Sequence, residues 1–263
     1  MQIESYIIPS ELSSLVIADS WEKIDAPYSG AATYRLEQAT GEGAYLKILP
    51  VPHREPLEQY LKKLKWLKGK LNVPEVIYYA KTERFELLLM SEMIGIDGSS
   101  ALHKENPEQV VRNLAEGLKE VHRIGVQDCP FDCTLAKRLE RIKQKVDRGT
   151  INKEKLEKEF SDNFDHLYQA LMTNTPSCEE LVFTHGDYSA PNVMIHQNAV
   201  SGFVDLADAG ISDKYRDLSA AYYSIIRNYG QPWTNVFFDE YGLSTVDQAK
   251  IEYYDLLEAF DYD

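Results

Sequence analysis

The apolar residues of this chain change their period at Gly95, and that change limits the folds open to it. Before Gly95 they alternate. Thr33-Tyr34-Arg35-Leu36-Glu37 has the period of two of a half-buried strand, and Ala44-Tyr45-Leu46-Lys47-Ile48-Leu49 follows across the turn signal Gly41-Glu42-Gly43. Together they read as a hairpin. From about Glu55 to Lys70 the spacing of Leu57, Leu61, Leu64 and Leu67 predicts one helix, with Lys62, Lys63, Lys65 and Lys68 between the leucines. Val76-Ile77-Tyr78-Tyr79 and residues 85–90 read as a further strand pair, and Glu92-Met93-Ile94-Gly95 as a connector.

Beyond Gly95 the pattern is helical. Asn106-Pro107-Glu108 is a helix start, a capping side chain followed by Pro at the first position, and Val110, Val111, Leu114, Leu118 and Val121 form the apolar stripe behind it. Residues 136–175 read as one or two charged amphipathic helices, and helices resume from Tyr215. Short strands are expected at Leu181-Val182-Phe183-Thr184 and across Gly202-Phe203-Val204-Asp205-Leu206. The expected fold class is α+β. Residues 1–94 form an antiparallel sheet lobe with a helix, and residues 95–263 a larger, mainly helical lobe.

Charge and cysteine content exclude several classes. The chain has 263 residues, 44% of them hydrophobic, enough for a sizeable core. A net charge of −14 argues against nucleic acid and against an anionic membrane surface as partners; it can draw a cationic ligand, but taken alone it reads first as surplus carboxylates that aid solubility. The three cysteines, Cys129, Cys133 and Cys178, make no disulfide framework and have no neighbouring ligand pair for zinc. With no basic-then-apolar leader and no run near the roughly 20 apolar residues of a membrane span, a cytoplasmic protein is expected. We expect a monomer or a weak homodimer.

The two short strands of the helical lobe flank His185-Gly186-Asp187-Tyr188-Ser189-Ala190-Pro191-Asn192. Asn192 follows Asp187 by five residues, and Asp205 lies 13 residues further, at the end of an apolar run. That is the spacing with which a phosphoryl-transfer loop sets one carboxylate on the attacking hydroxyl and an amide and a second carboxylate on metal. Lys47, on the second strand of the hairpin, is placed to reach nucleotide phosphates. Glu58 or Glu55, in the next helix, can pair with it. Tyr28-Ser29-Gly30-Ala31-Ala32-Thr33 offers small residues and free amides to phosphate, with Ser29 as a hydroxyl donor. Strand lobe, helical lobe and the order of these residues outline a kinase-like fold.

With these segments in place, the chain resembles the aminoglycoside 3′-phosphotransferase family over nearly its whole length. The resemblance is carried above all by "DCPFDCTLAKRL", "LVFTHGDYSAPNVMI", "VSGFVDLADAGISDKYRDL" and "KIEYYDLLEAF". It implies a two-lobed, protein-kinase-like fold whose lobe 1–94 binds nucleotide and carries the hinge, and whose lobe 95–263 carries catalysis and substrate binding. It implies ATP (GTP is possible) with Mg²⁺, and a small cationic acceptor, an aminoglycoside. On matching positions it makes Asp187 catalytic and puts Asn192 and Asp205 on magnesium. It puts Lys47 on phosphate with Glu58, rather than Glu55, beside it, and Ser29 in the phosphate loop. Tyr45 would stack on adenine, and the backbone of Ser91 and Met93 would form the hinge. For the substrate it implies Glu258 and Asp261 at the C-terminal end, joined by Glu157 from the acidic stretch Glu154, Glu157, Glu159 and Asp162. One departure stands out. Where the family has a pattern like Asp-x-Gly-Arg-x-Gly, this chain has Asp205-Leu206-Ala207-Asp208-Ala209-Gly210, acidic in place of basic. The alternatives are a kinase of another small hydroxyl compound (choline, a sugar or a macrolide) and a nucleotide-binding relative without catalysis.

Overall fold

A computed structural model describes residues 8–17, 21–24, 30–53 and 56–261, and in it the alternating segments of the first part pair into one antiparallel sheet. Its strands are β1 (Glu22–Ile24), β2 (Ala32–Glu37), β3 (Gly43–Pro50), β4 (Val76–Lys81) and β5 (Phe85–Ser91), in the order β1-β2-β3-β5-β4. The period of two sorts the side chains of β3. Ala44, Leu46 and Ile48 enter a core with Tyr34, Leu36, Leu87 and Leu89, closed by Leu12 and Val16 at the helix α1 (Ser10–Leu15). Tyr45 and Lys47 therefore take the opposite face, in register with Met90 and Leu88 of β5.

Helix α2 (Leu57–Leu67) packs on β4 and β5 and buries the four leucines that its spacing singled out. Pro56 at its N-cap supplies no side-chain acceptor. Glu86 of β5 does: its buried carboxylate accepts from the Glu58 amide at 3.1 Å and pairs with Lys81 at 2.7 Å. A carboxylate at a helix N-terminus satisfies an amide that would otherwise lack a partner and complements the helix dipole.

The chain divides between Ile94 and Gly95 into two compact units. The second opens with β6 (Ile96–Asp97) and α3 (Pro107–His122), whose first turn is capped by Asn106 onto the Gln109 amide. The stretch expected as one or two helices is three: α4 (Leu135–Asp147), α5 (Lys153–Phe160) and α6 (Phe164–Thr173). Ser161, left-handed at φ 53°, ends α5, and Asn152 and Asn163 cap α5 and α6. Next come β7 (Leu181–Thr184), β8 (Val193–His196), β9 (Ala199–Phe203) and β10 (Gly210–Asp213). They pair as β6-β8-β9 and β7-β10. Helices α7 (Tyr215–Tyr229), α8 (Trp233–Tyr241) and α9 (Gln248–Asp261) complete the unit. Among the described residues, no helix is long and apolar enough to cross a membrane.

Candidate active site

The loop after β7 is where this unit gathers its polar groups. The chain leaves the β7–β10 ladder at Thr184, so the next amides are buried without strand partners. Asp217 of α7, itself fully buried, takes them: its carboxylate accepts from the His185 amide at 2.6 Å and the Gly186 amide at 2.9 Å. The imidazole of His122 lies 3.2 Å from the same carboxylate, and its other nitrogen meets the Tyr241 hydroxyl at 2.8 Å. Burial alone would push the Asp217 carboxyl up, but the hydrogen bond and charge of His122, with His185 and the Gly186 amide, hold it below the usual aspartate range. Gly186 has φ 93°, and a Cβ there would stand 2.4 Å from the Asp208 carbonyl, so only glycine fits.

The rest of the loop is tied to the same scaffold. Tyr188 donates to the Leu114 carbonyl at 2.6 Å, and the Ser224 hydroxyl accepts from the Ala190 amide at 2.8 Å. Nε2 of His185 faces the Val204 carbonyl at 3.0 Å and Nδ1 faces the Asp187 amide at 3.4 Å, so the tautomer protonated on Nε2 satisfies both. The ring thus ties the Asp187 turn to the residue before Asp205.

Asp187 and Asn192 meet directly. The Asn192 amide nitrogen donates to the Asp187 carboxylate at 2.8 Å and to its carbonyl at 2.9 Å. Burial raises the Asp187 carboxyl, and the charges of Asp205 and Glu258 add to that, while His185 and the Asn192 hydrogen bond oppose them. Asp205 is exposed and left-handed, φ 59°, on the residue after Val204, whose amide donates to the Asn192 carbonyl at 3.0 Å. One amide oxygen and one carboxylate suit Mg²⁺, which keeps most of its shell as water and phosphate oxygens.

A cavity of about 150 Å³ opens beside Asp187. The loop after β7 forms one wall, α7 a second through Ser219, Tyr223 and Arg227, and α9 a third through Asp255 and Glu258. Two of the substrate carboxylates expected from the sequence do other work. Asp261 is buried, accepting from Arg138 at 2.8 Å and Arg141 at 2.7 Å, while Lys145 donates to the Phe260 carbonyl at 3.2 Å. It clamps the end of α9 onto α4 and has no face left for a substrate. Burial pushes its carboxyl up, yet the two guanidinium groups hold it far below the ordinary range. Its stabilisation is therefore full above the unfolded aspartate pKa and fades as pH falls. Asp261→Asn should cost about 3 kcal/mol in urea unfolding at neutral pH, with the loss shrinking in acid. Glu157 accepts from the Phe164 amide at 2.9 Å, so it caps the first turn of α6 and is not one of the cavity-lining residues. Asp255, which sequence reasoning missed, lines the cavity where Asp261 was expected to contribute.

The departure at Asp208 has a partial answer in α7. Buried Arg216 donates to the Asp208 carbonyl at 2.9 Å and to Glu258 at 2.8 Å, so a fixed positive charge reaches this turn from below. Arg216 lies in a segment that carries the family resemblance, but sequence reasoning assigned it no role.

In the first unit, Tyr45 and Lys47 share the sheet face next to α2, and the Lys47 ammonium lies 5.1 Å from the centre of the Tyr60 ring. The expectation that Glu58 holds Lys47 is not met: its exposed carboxylate pairs with Lys62 at 2.9 Å, one turn along its own helix. Glu55 and Ser29 lie outside the described residues. The Ser91 amide donates to the Glu75 carbonyl and its hydroxyl accepts from the Glu75 amide, both at 2.9 Å. Met93 follows the end of β5, where the ladder has stopped.

A family model described as the phosphotransferase enzyme family matches residues 21–254. The chain belongs to this family. An aminoglycoside 3′-phosphotransferase of Niallia circulans is 35% identical over 253 residues, covering 96% of this chain and 97% of that one. One from Enterococcus faecalis is 33% identical, covering 95% and 97%. Among solved structures, a type VIII aminoglycoside-3′-phosphotransferase superposes with a TM-score of 0.79 at 25% identity, over 92% of this chain and 94% of that one. An aminoglycoside phosphotransferase of Streptomyces rimosus, solved with ADP and streptomycin, does so at 0.76 and 23%, over 92% of each chain. The α+β, kinase-like fold expected from the sequence is the fold of this phosphotransferase.

Proposed function

We propose that this phosphotransferase moves the γ-phosphate of ATP to a hydroxyl of an aminoglycoside, by its relatives' names the 3′ hydroxyl. The observation that carries the reading is the cavity beside Asp187, where a carboxylate oriented by Asn192 faces the carboxylates of Asp255 and Glu258. One group addresses a hydroxyl; the others address ammonium groups.

Asn192 and Asp205 would hold Mg²⁺, which would neutralise charge on the phosphate oxygens. Lys47 presents its ammonium to the nucleotide phosphates, and the Met93 backbone serves the base. Asp187 accepts a hydrogen bond from the acceptor hydroxyl and aims its oxygen in line at the γ-phosphorus. The new oxygen–phosphorus bond forms as the bond to the ADP oxygen breaks, and the hydroxyl proton passes to Asp187. A loose transition state asks for positioning more than for a strong base. The buried Asp217 anchor supplies that rigidity.

The test is ATP consumption with a panel of acceptors. Kanamycin or neomycin should stimulate turnover, with mass spectrometry showing one added phosphoryl group. Turnover confined to choline, a neutral sugar or a macrolide would remove the reading.

A further inference from the structure

Helix α7 shows one face to the cavity, Ser219, Tyr223 and Arg227 falling at successive turns, and α9 shows Asp255 and Glu258, one turn apart. These two carboxylates have unlike surroundings. Oε1 of Glu258 is gripped by Arg138 at 2.6 Å and Arg216 at 2.8 Å, two buried guanidinium groups, while its Oε2 is buried without a hydrogen-bond partner among the described residues. Asp255 is only partly exposed, yet among the described residues no amide or side chain donates a hydrogen bond to it and no cation pairs with it. Arg227 is the cation that acts on it, from an exposed position and without an ion pair to it. A half-buried carboxylate without a donor works against folding. The Asp255 carboxylate, with no donor from the protein, is open at the cavity to a donor from a ligand.

Resting on the proposed function, we propose that Asp255 is the specificity-determining residue for the acceptor: its carboxylate takes an ammonium group of the aminoglycoside whose hydroxyl faces Asp187. The charges around it favour a cation over a neutral hydroxyl. Glu258 stands one turn along α9, Glu159 at the end of α5 and Asp187 across the cavity; Arg227 opposes them, and Arg138 and Arg216 are engaged by Glu258. Burial raises the Asp255 carboxyl to about 6, with Glu159 and Glu258 adding and Arg227 opposing. Tyr223, the other titratable group of α7 at the cavity, is pushed up to about 12 by burial and by Asp255, and stays neutral in the working range.

The test is Asp255→Asn, of equal size and without charge. The acceptor KM should rise about tenfold or more through loss of a charge-assisted hydrogen bond, with kcat and the KM for ATP near wild type. Wild-type acceptor KM should climb as pH falls through about 6, where Asp255 takes up a proton; the variant should lack that limb. Because the folded state disfavours ionised Asp255, the variant's Tm at pH 7.5 should hold or rise. An unchanged acceptor KM overturns the proposal, as does a fall of Tm and kcat together, which would mark a structural role. Should wild type use only some other acceptor, the proposed function fails separately. The variant is then measured on that acceptor: a raised KM for a cationic compound keeps the assignment, and an uncharged acceptor or an unchanged KM removes it.

Discussion

Asp187→Asn should lower kcat by about 10²- to 10⁴-fold, the usual range for losing a positioned acid–base group, while nucleotide affinity stays near wild type. The substitution keeps the shape of the side chain and the contact with Asn192, at 2.8 Å in the native protein, but removes the charge that accepts the hydroxyl proton. Single-turnover phosphorylation of an aminoglycoside, beside thermal stabilisation by the ATP–Mg²⁺ complex, separates the two effects. Near-normal turnover would take Asp187 out of the chemistry. Loss of nucleotide binding in step with turnover would make it a structural residue.

Asp217→Ala should be the most damaging change for the fold of the second unit, at about 4–5 kcal/mol. It strands the buried amides of His185 and Gly186 and leaves His122 without its carboxylate. Against a typical total of about 5–15 kcal/mol, that loss removes from about a quarter to nearly all of the stability. Urea unfolding measures it, and Asp217→Asn, which can still accept one of the amides, should recover part of it. The folded pKa of Asp217 lies below its unfolded value. Its stabilisation is therefore complete above the ordinary aspartate pKa and is lost as pH falls, so wild type and variant should converge in acid. Equal stability of the two at neutral pH would show that the loop stands without this anchor.

Much of the fold was legible because burial on one face leaves a period in the chain. The alternation of residues 44–49 already separated the core-facing Ala44, Leu46 and Ile48 from Tyr45 and Lys47. The leucine spacing in α2 located its buried face. What misled were acidic residues, whose partners the sequence does not reveal. Glu58 turns to Lys62, Glu157 caps α6, and Asp261 closes on Arg138 and Arg141 more than a hundred residues away. A carboxylate reads the same in sequence whether it faces a substrate, a helix end or a buried arginine.

By itself the sequence determined the α+β division at Gly95, the strand before the loop and the spacing of Asp187, Asn192 and Asp205, since these depend on local periodicity and on distances along the chain; the strand expected across residues 202–206 ends at Phe203, and β8, directly after the loop, was not foreseen. The tertiary structure alone decided which carboxylates remain available. Folding brings α4 and α7 against α9, and Arg138 and Arg216 then take up one oxygen of Glu258 while Arg138 and Arg141 take up Asp261. Asp255, which Arg227 acts on without forming an ion pair, has no salt-bridge partner among the described residues at the cavity wall. That sorting is an effect of burial and pairing in space, where desolvation makes every charge find a partner or wait for one.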